Sequence, residues 1–319
     1  MTGLVTVFGG SGFVGRHLVR ALAKRGWRVR VAVRRPDLAG HLQPLGIVGQ
    51  IQPIQANLRY PASIARAIAG ADAVVNLVGI LAEGGRQTFG AVQAQGAKAV
   101  AEAAAKAGIS NLVQMSAIGA DAGSVSDYAA SKAYGEQAAL DAVPSAVVLR
   151  ASIIFGPEDQ FFNRFAGMAR FLPFLPLIGG GNTQFQPVYV GDVAEAIVAA
   201  LEGKARAGTT YELGGPQTAS FKALLEYILE QTGRSRPLVP LPFGLARLQA
   251  SVLQLLPGKL LTVDQVNLLE TDNIVSEAAT REGRDLAGLG ITATAYQSVV
   301  PSYLYRFRKH GQFDRIRPA

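Results

Sequence analysis

A glycine-rich turn near the start of the chain carries the first residues that could do chemistry. The turn reads Gly-Gly-Ser-Gly-Phe-Val-Gly over residues 9–15, after an apolar run at 4–8 and before a helical pattern at 14–25. Glycines spaced three apart allow a tight turn, close approach of a pyrophosphate and close helix–strand packing. A helix N-terminus also favours an anion. In this strand–turn–helix context the motif predicts an adenine dinucleotide site. The site residues predicted in the turn are Gly9, Ser11, Gly12, Phe13 and Gly15.

The end of the second predicted strand distinguishes between the two nicotinamide dinucleotides. An NAD site usually places Asp or Glu there, bonded to the ribose hydroxyls. This chain instead has Arg34 and Arg35, and no acid between residues 31 and 36. Guanidinium groups pair well with a 2′-phosphate, so we expect NADP(H) rather than NAD(H). The alternative is that both arginines only extend a basic surface, since residues 16–35 hold eight Arg or Lys and no acid.

Tyr128 and Lys132 form the second candidate group. Their four-residue spacing puts both side chains on one face of a helix. A neighbouring ammonium favours the phenolate and so lowers the pKa of a tyrosine. Such a tyrosine can act as general acid or base during hydride transfer.

These groups require a scaffold of alternating strands and helices. Apolar runs predict six buried parallel strands, with helical stretches between them. This alternation predicts an α/β fold with a Rossmann-type, doubly wound parallel sheet. The predicted strands are 4–8, 29–33, 51–54, 73–78, 112–116 and 146–154, and the helices between them include 14–25, 61–69 and 91–107.

The second half of the chain is less regular and predicts a smaller, irregular C-terminal domain at 156–319. We expect residues 1–155 to form the nucleotide-binding domain, with 188–213 returning to it. Residues 236–244 contain three prolines and predict a connector. The helix predicted at 245–256 gathers its leucines on one face, which could pack on its own domain, a partner protein or a membrane surface.

Composition limits the possible functions. The chain has 319 residues, of which 49% are hydrophobic and 17% charged, as expected of a globular protein with a sizeable core. It has no Cys, which excludes disulfides, Cys-ligated metals and thiol chemistry, and we expect no metal. We expect no transmembrane segment and no signal or transit peptide. The net charge is +8, and a basic stretch at 303–319 could meet anionic lipid headgroups or an acidic partner. We recognise no nucleic-acid module, so nucleic acid is not expected.

Together these motifs resemble the extended short-chain dehydrogenase/reductase superfamily, over nearly the whole chain. In that superfamily the Tyr-x-x-x-Lys pair is catalytic, and the lysine also holds the nicotinamide ribose. Active members carry Ser or Thr after the fifth strand, where this chain has Ile118, with Ser116 two residues earlier. Gln93 replaces an asparagine that is common on the fourth helix. The resemblance therefore implies an intact cofactor site and a weak or vestigial catalytic pair. It adds these positions to the cofactor site: Asn57, Leu58, Val78, Gly79, Ser116, Tyr128 and Lys132.

Longer segments are similar to a narrower group, the nucleotide-binding accessory subunits of respiratory complex I (NADH:ubiquinone oxidoreductase). These segments are 149–165, 175–181, 185–194, 261–266, 272–273 and 301–304. The resemblance implies tight NADP(H) binding without direct part in electron transfer, and a structural or assembly role. It implies contacts with peripheral-arm and membrane-proximal subunits. The implied location is peripheral, on the cytoplasmic face of a bacterial inner membrane or the matrix side of a mitochondrial one.

Two alternatives remain at this stage. The first is a free-standing NADP-dependent reductase, epimerase or dehydratase acting on a quinone-related, isoprenoid or sugar-nucleotide substrate, with Tyr128 and Lys132 as its acid/base pair. The second is a regulatory sensor of the NADPH/NADP⁺ ratio that acts through a partner.

Overall fold

The computed structural model describes residues 3–255 and 261–309. The chain divides into two compact units, each assembled from three segments. The first unit comprises Met1–Ala151, Val190–Leu213 and Val275–Thr292, and the second comprises Ser152–Tyr189, Gly214–Ile274 and Ala293–Ala319.

A seven-stranded parallel sheet forms the centre of the first unit. Its strands are Leu4–Phe8 (β1), Arg28–Val33 (β2), Ile51–Gln55 (β3), Ala73–Asn76 (β4), Leu112–Ala117 (β5), Val147–Ala151 (β6) and Thr210–Leu213 (β7). They pair in the order β3-β2-β1-β4-β5-β6-β7, every neighbour parallel. This is a doubly wound, Rossmann-type sheet, so the predicted fold class is confirmed. The direction of winding reverses between β1 and β4, which is where such sheets bind ligands, beyond the carboxyl ends of the strands.

Helices cover the sheet of the first unit. They are Phe13–Lys24 (α1), Pro61–Ile68 (α2), Gln95–Lys106 (α3), Asp127–Ala142 (α4), Val190–Leu201 (α5) and Glu277–Arg281 (α6). The helix predicted at 91–107 differs, because a π-helical turn at Gly90–Ala94 precedes α3. Such turns often lie at functional sites.

The segment 275–292 joins the first unit, although the sequence placed it in the smaller domain. Hydrogen bonds tie it to β7, among them one from the backbone N–H of Glu212 to the carbonyl oxygen of Arg284 at 2.9 Å. The Glu212 carboxylate accepts a hydrogen bond from the backbone N–H of Ser276 at 2.7 Å. The Arg284 guanidinium donates to the carbonyl oxygen of Thr210 at 3.0 Å.

The second unit holds short strand pairs and helices. The predicted strand 146–154 extended too far, because β6 ends at Ala151 and a separate strand begins at Ile154. The strand pairs are Ile154–Phe155 with Val188–Tyr189, Leu175–Ile178 with Leu238–Leu241, and Gln184–Phe185 with Ala219–Ser220. The helices are Phe162–Phe171, Phe221–Thr232, Phe243–Leu253, Val263–Leu268, Tyr296–Val299 and Pro301–Leu304. Aromatic side chains contribute to the core of this unit beside aliphatic ones, among them Phe155, Phe162, Phe185, Phe221 and Tyr296.

Two predictions for this unit need correction. The connector predicted at 236–244 contains the strand Leu238–Leu241, and its edge position tolerates proline. The helix predicted at 245–256 spans Phe243–Leu253 and buries only Ala246 and Ala250. Its predicted apolar face does not pack on its own unit. The exposed residues of that face are Leu245, Leu248, Val252 and Leu255, while Leu256 lies outside the described residues.

Candidate functional site

The glycine-rich turn lies between β1 and α1. Gly9 has a φ of +79°, in the left-handed region that favours glycine. A methyl group at Gly15 would stand 2.5 Å from backbone atoms of Gly10, so a side chain there would force the turn away from the helix. Gly12 is the N-cap of α1, with no side-chain cap and no acid in the first helical turn. The turn can therefore present backbone N–H groups to a pyrophosphate.

The other positions predicted to border the cofactor follow the carboxyl ends of β3 and β4. A methyl group at Gly9 would lie 3.3 Å from Cγ2 of Val78, so the turn and the end of β4 are in contact. After β3, the Asn57 side-chain oxygen accepts from the backbone N–H of Arg59 at 3.1 Å. Leu58 packs against Gly96 of α3. Asn57, Leu58 and Val78 therefore line the edge of the sheet next to the glycine turn.

Arg34 and Arg35 differ in their surroundings. Nε and Nη2 of Arg35 donate to the Asp37 carboxylate at 3.1 and 2.8 Å. This hydrogen-bonded pair raises the pKa of Arg35 and lowers the pKa of Asp37. Arg34 is exposed and makes no ion pair with any residue that the structure describes. Of the two, Arg34 is the guanidinium open to an added phosphate. Asp37 was missed in the sequence, although it lies two residues after Arg35.

Tyr128 and Lys132 lie one turn apart on α4, which Ser126 caps by accepting from the N–H of Ala129 at 3.2 Å. Lys132 Nζ is 5.8 Å from the centre of the Tyr128 ring. The edge-to-face partner of that ring is Phe89, with centroids 5.8 Å apart. The phenol is half-buried and beside the ammonium, as the Tyr-x-x-x-Lys spacing predicts.

The Lys132 ammonium is buried, with 8% of the residue exposed. Burial lowers its pKa from 10.5 to about 8, and the Glu136 carboxylate partly opposes that shift. Glu136 is itself held by Arg150, whose Nη2 lies 2.6 Å from Oε2. Lys132 Nζ donates to the carbonyl oxygen of Met115 at 3.5 Å, a long hydrogen bond. The Glu136–Arg150 pair was missed in the sequence, although Glu136 lies four residues after Lys132.

Near Lys132, Oε1 of Gln93 and Oγ of Ser116 are buried and have no hydrogen-bond partner in the described chain. A methyl group at Gly79 would stand 3.2 Å from Lys132 Nζ and 3.5 Å from Gln93 Oε1. The ammonium and the amide oxygen therefore converge on this glycine, and Ser116 adjoins Met115 on β5. An unsatisfied buried polar group costs about 1–3 kcal/mol, so these atoms suit the hydroxyl groups of a ribose.

Ile118 follows β5 at the position where active members of the superfamily carry a hydroxyl. Its side chain is buried, and its N–H donates to the carbonyl oxygen of Ala151 at 3.0 Å. This bond fixes the backbone of the position against β6. Because isoleucine has no polar group, it cannot hydrogen-bond a reacting carbonyl, and Ser116 lies two residues away within the strand.

Three of the segments that carry the narrower resemblance, 149–165, 272–273 and 301–304, are joined by hydrogen bonds inside the second unit. Ser152 Oγ donates to the side-chain oxygen of Asn273 at 2.7 Å. The Tyr303 hydroxyl donates to Oδ2 of Asp159 at 2.5 Å. Asp159 also accepts from backbone N–H groups of Gly156, Phe161 and Asn163. Hydrogen bonds therefore connect these three segments, although up to 144 residues separate the partners in sequence.

The chain is similar in sequence to one protein family and to full-length relatives. Residues 5–214 match the NAD dependent epimerase/dehydratase family. NADH dehydrogenase (ubiquinone) 1 alpha subcomplex subunit 9, mitochondrial, from Arabidopsis thaliana is 36% identical over 324 residues, covering 98% of this chain and 80% of the relative. The mouse protein of the same name is 31% identical over 324 residues, covering 99% of this chain and 84% of the relative.

Among solved structures, UDP-glucose 4-epimerase from Thermus thermophilus, in complex with NAD, is similar in fold. Its TM-score is 0.70 at 23% identity, covering 96% of this chain and 99% of the epimerase. Within residues 3–255 and 261–309, no helix is long and apolar enough to cross a membrane.

Proposed function

The chain belongs to the NAD dependent epimerase/dehydratase family, and we propose that it serves as a nucleotide-binding accessory subunit of respiratory complex I. The observation that carries this proposal is the full-length similarity to subunits of NADH dehydrogenase (ubiquinone) from a plant and from mouse, at 36% and 31% identity. Its role is structural or in assembly, without direct part in electron transfer. Its partners are peripheral-arm and membrane-proximal subunits, with anionic lipid headgroups as a further contact.

The location that follows is peripheral to the membrane. In a bacterium the subunit lies on the cytoplasmic face of the inner membrane, and in a mitochondrion on the matrix side. The proposed nucleotide-binding domain and the proposed smaller docking domain have nearly the same bounds as the two compact units of the fold. Nucleotide binding and docking would thus each use a separate part of the chain.

The cofactor we propose is NADP(H), and the residues present fit it. The turn Gly9–Gly15 would hold the pyrophosphate with backbone N–H groups, and Asn57 and Leu58 would border the adenine. Arg34 would pair with the 2′-phosphate, because the Arg35 guanidinium is already hydrogen-bonded to the Asp37 carboxylate. When bound, the dinucleotide supplies a nicotinamide that can exchange a hydride.

The ribose next to the nicotinamide would lie near Gly79. There the Lys132 ammonium would donate to ribose hydroxyls, and Gln93 Oε1 would accept from them. Ser116 Oγ is a further buried polar atom, and like Gln93 Oε1 it has no partner in the described chain. Fixing the ribose in this way offsets the cost of burying the ammonium.

The site supports binding better than turnover. Tyr128 and Lys132 have the four-residue spacing that the resemblance assigns to an acid/base pair, but the Ile118 side chain offers no donor to a substrate carbonyl. A carbonyl would therefore be polarised by the phenol alone. We propose that the pair holds the cofactor and that catalysis is weak or vestigial.

A native gel of detergent-solubilised membranes that carry a tagged copy of this chain tests the assignment. The tag is expected to co-migrate with NADH:quinone reductase activity. A tag that runs alone in the soluble fraction would favour the free-standing reductase or epimerase instead. In that case NADP(H) turnover that Tyr128→Phe abolishes should be found in a substrate screen.

A further inference from the structure

One surface of the second unit exposes aromatic and aliphatic side chains in a short run. Residues 170–174 read Arg-Phe-Leu-Pro-Phe and lie at the end of the helix Phe162–Phe171 and just beyond it, and all five are exposed. Phe171 is 79% exposed and Phe174 is 46% exposed. Contiguous apolar exposure of this kind marks an interaction site more often than isolated exposed residues do.

Arginines surround this run. Arg236 Nε donates to the carbonyl oxygen of Ala169 at 3.1 Å, which places Arg236 beside the end of the helix. Arg170 lies over the ring of Phe171, with Cζ 5.3 Å from its centre. Burial first, and then the nearby charges of Arg236 and Arg170, lower the pKa of Arg234. The three guanidinium groups therefore lie close enough to repel one another.

No acid within the described chain neutralises Arg170, Arg234 or Arg236 by an ion pair. The basic stretch at the end of the chain begins beside them. Arg234 Nε donates to the carbonyl oxygen of Phe307 at 3.0 Å, and Arg308 Nε donates to that of Gln231 at 2.9 Å. Arg308 therefore adds a fourth arginine to this part of the surface. Residues 310–319 lie outside the described part.

We propose that this surface, residues 170–174 with Arg234 and Arg236, docks on an anionic lipid bilayer. Phe171, Leu172 and Phe174 would enter the interfacial region, and the arginines would pair with lipid phosphates. The inference rests on the peripheral membrane location in the proposed function, and it names the surface responsible. A dense layer of phosphates relieves the repulsion among the arginines, and apolar insertion combined with basic side chains is how peripheral proteins bind anionic membranes.

Another exposed apolar surface does not combine apolar side chains with unpaired arginines. On the helix Phe243–Leu253, Leu245 and Leu248 are exposed, but the arginine among them is already paired. Arg247 Nη2 lies 2.6 Å from the Glu270 carboxylate. This helix therefore provides a matched control for apolar exposure without free charge.

Sedimentation of the purified full chain with lipid vesicles tests the proposal. We expect binding to vesicles of phosphatidylcholine with phosphatidylglycerol, little binding to phosphatidylcholine alone, and weaker binding as salt rises. The double variant F171S/F174S should bind about tenfold more weakly or worse, from lost apolar insertion. Arg170→Gln should bind about fivefold more weakly. The control variant L245S/L248S should bind like the wild type.

Several results would overturn the proposal. The proposal is wrong if the wild type does not bind anionic vesicles, if F171S/F174S binds them as the wild type does, or if L245S/L248S no longer binds them. Circular dichroism confirms that each variant is folded. Co-migration with complex I is scored separately for the same proteins. If the wild type does not bind vesicles, and F171S/F174S no longer co-migrates with complex I, the surface contacts a protein and the lipid proposal is wrong. If the wild type binds vesicles but never co-migrates, the complex I assignment fails instead.

Discussion

Lys132 in the first unit and Asp159 in the second are both buried charged groups, but their hydrogen bonds differ. The Lys132 ammonium makes one long hydrogen bond, to Met115, and Gln93 Oε1 beside it has no partner in the described chain. The Asp159 carboxylate accepts from Tyr303 and from three backbone N–H groups. Burial raises the pKa of Asp159, and these hydrogen bonds oppose the rise.

This difference indicates that the Lys132 cluster and the Asp159 cluster have different roles. A cluster whose polar atoms are all paired within the chain stabilises the fold. A cluster that leaves them unpaired costs stability and suits a ligand that completes it. Substitutions in the first cluster should therefore change nucleotide affinity, and substitutions in the second should change stability.

The largest effect is expected from Lys132→Met. It removes the ammonium that would hold the ribose, so NADPH affinity should fall about 30-fold to 100-fold, as for a lost charge-assisted hydrogen bond. The ligand-free chain should nevertheless become more stable, by about 2 kcal/mol at pH 7, because a buried charge with a lowered pKa is gone. Calorimetry measures the affinity and urea unfolding the stability. A variant that loses stability would place Lys132 with the structural cluster.

The pH dependence of unfolding checks the same group. The folded-state pKa of Lys132 is about 8, and the unfolded value is 10.5. Between these values the unfolded chain binds more protons, so the contribution of Lys132 makes stability rise with pH across that window. The stability advantage of Lys132→Met should therefore be full below pH 8 and shrink towards pH 10.5. An advantage that stays constant over this window would contradict the assigned pKa.

Tyr303→Phe is the corresponding test of the second unit. Loss of one hydrogen bond to a buried carboxylate should lower the free energy of unfolding by about 2 kcal/mol at pH 7 and leave NADPH affinity unchanged. The deficit should be smallest in acid and grow as pH rises through the folded-state pKa of Asp159, which burial raises above 3.8, because the lost bond supports the charged form of this carboxyl group. Tyr305→Phe, at an exposed position, is the control. Reduced NADPH affinity in Tyr303→Phe would break the division between the clusters.

Arg34→Gln and Arg35→Gln form a matched pair on the nucleotide side. Arg34→Gln should weaken NADPH binding about tenfold and leave NADH binding unchanged, because it removes a charge-assisted contact with the 2′-phosphate. Arg35→Gln should have a smaller effect, since Asp37 already neutralises Arg35. Affinities for both dinucleotides are measured by calorimetry. Equal losses in the two variants, or equal wild-type affinities for NADPH and NADH, would refute the role given to Arg34.

The sheet and the glycine turn could be predicted because their determinants are local. Each parallel strand is a short apolar run, and the turn is specified by glycines within residues 9–15. The Tyr-x-x-x-Lys pair is equally local, since four residues make one helical turn.

Features that depend on distant partners could not be predicted. Glu212 and Ser276 are 64 residues apart, and their hydrogen bond helps place the segment 275–292 in the first unit. Asp159 and Tyr303 are 144 residues apart. The leucines of the helix Phe243–Leu253 have the pattern of a packing face, but periodicity does not say whether a face packs within the chain. The π-helical turn that carries Gln93 has no pattern of its own in the sequence.

Gln93→Leu should have the smallest effect on NADPH affinity. It is the most sensitive test of the difference between the Lys132 cluster and the Asp159 cluster. If Gln93 belongs to the ligand cluster, losing its unpaired amide oxygen should weaken NADPH binding about threefold to fivefold and leave stability nearly unchanged. Its Nε2 donates to Ser131 Oγ at 3.2 Å, so a structural role is the competing explanation. That role predicts lower stability and unchanged affinity. Gln93→Asn keeps the amide but shortens its reach, so it should weaken NADPH binding as Gln93→Leu does if the position of Oε1 near Gly79 matters.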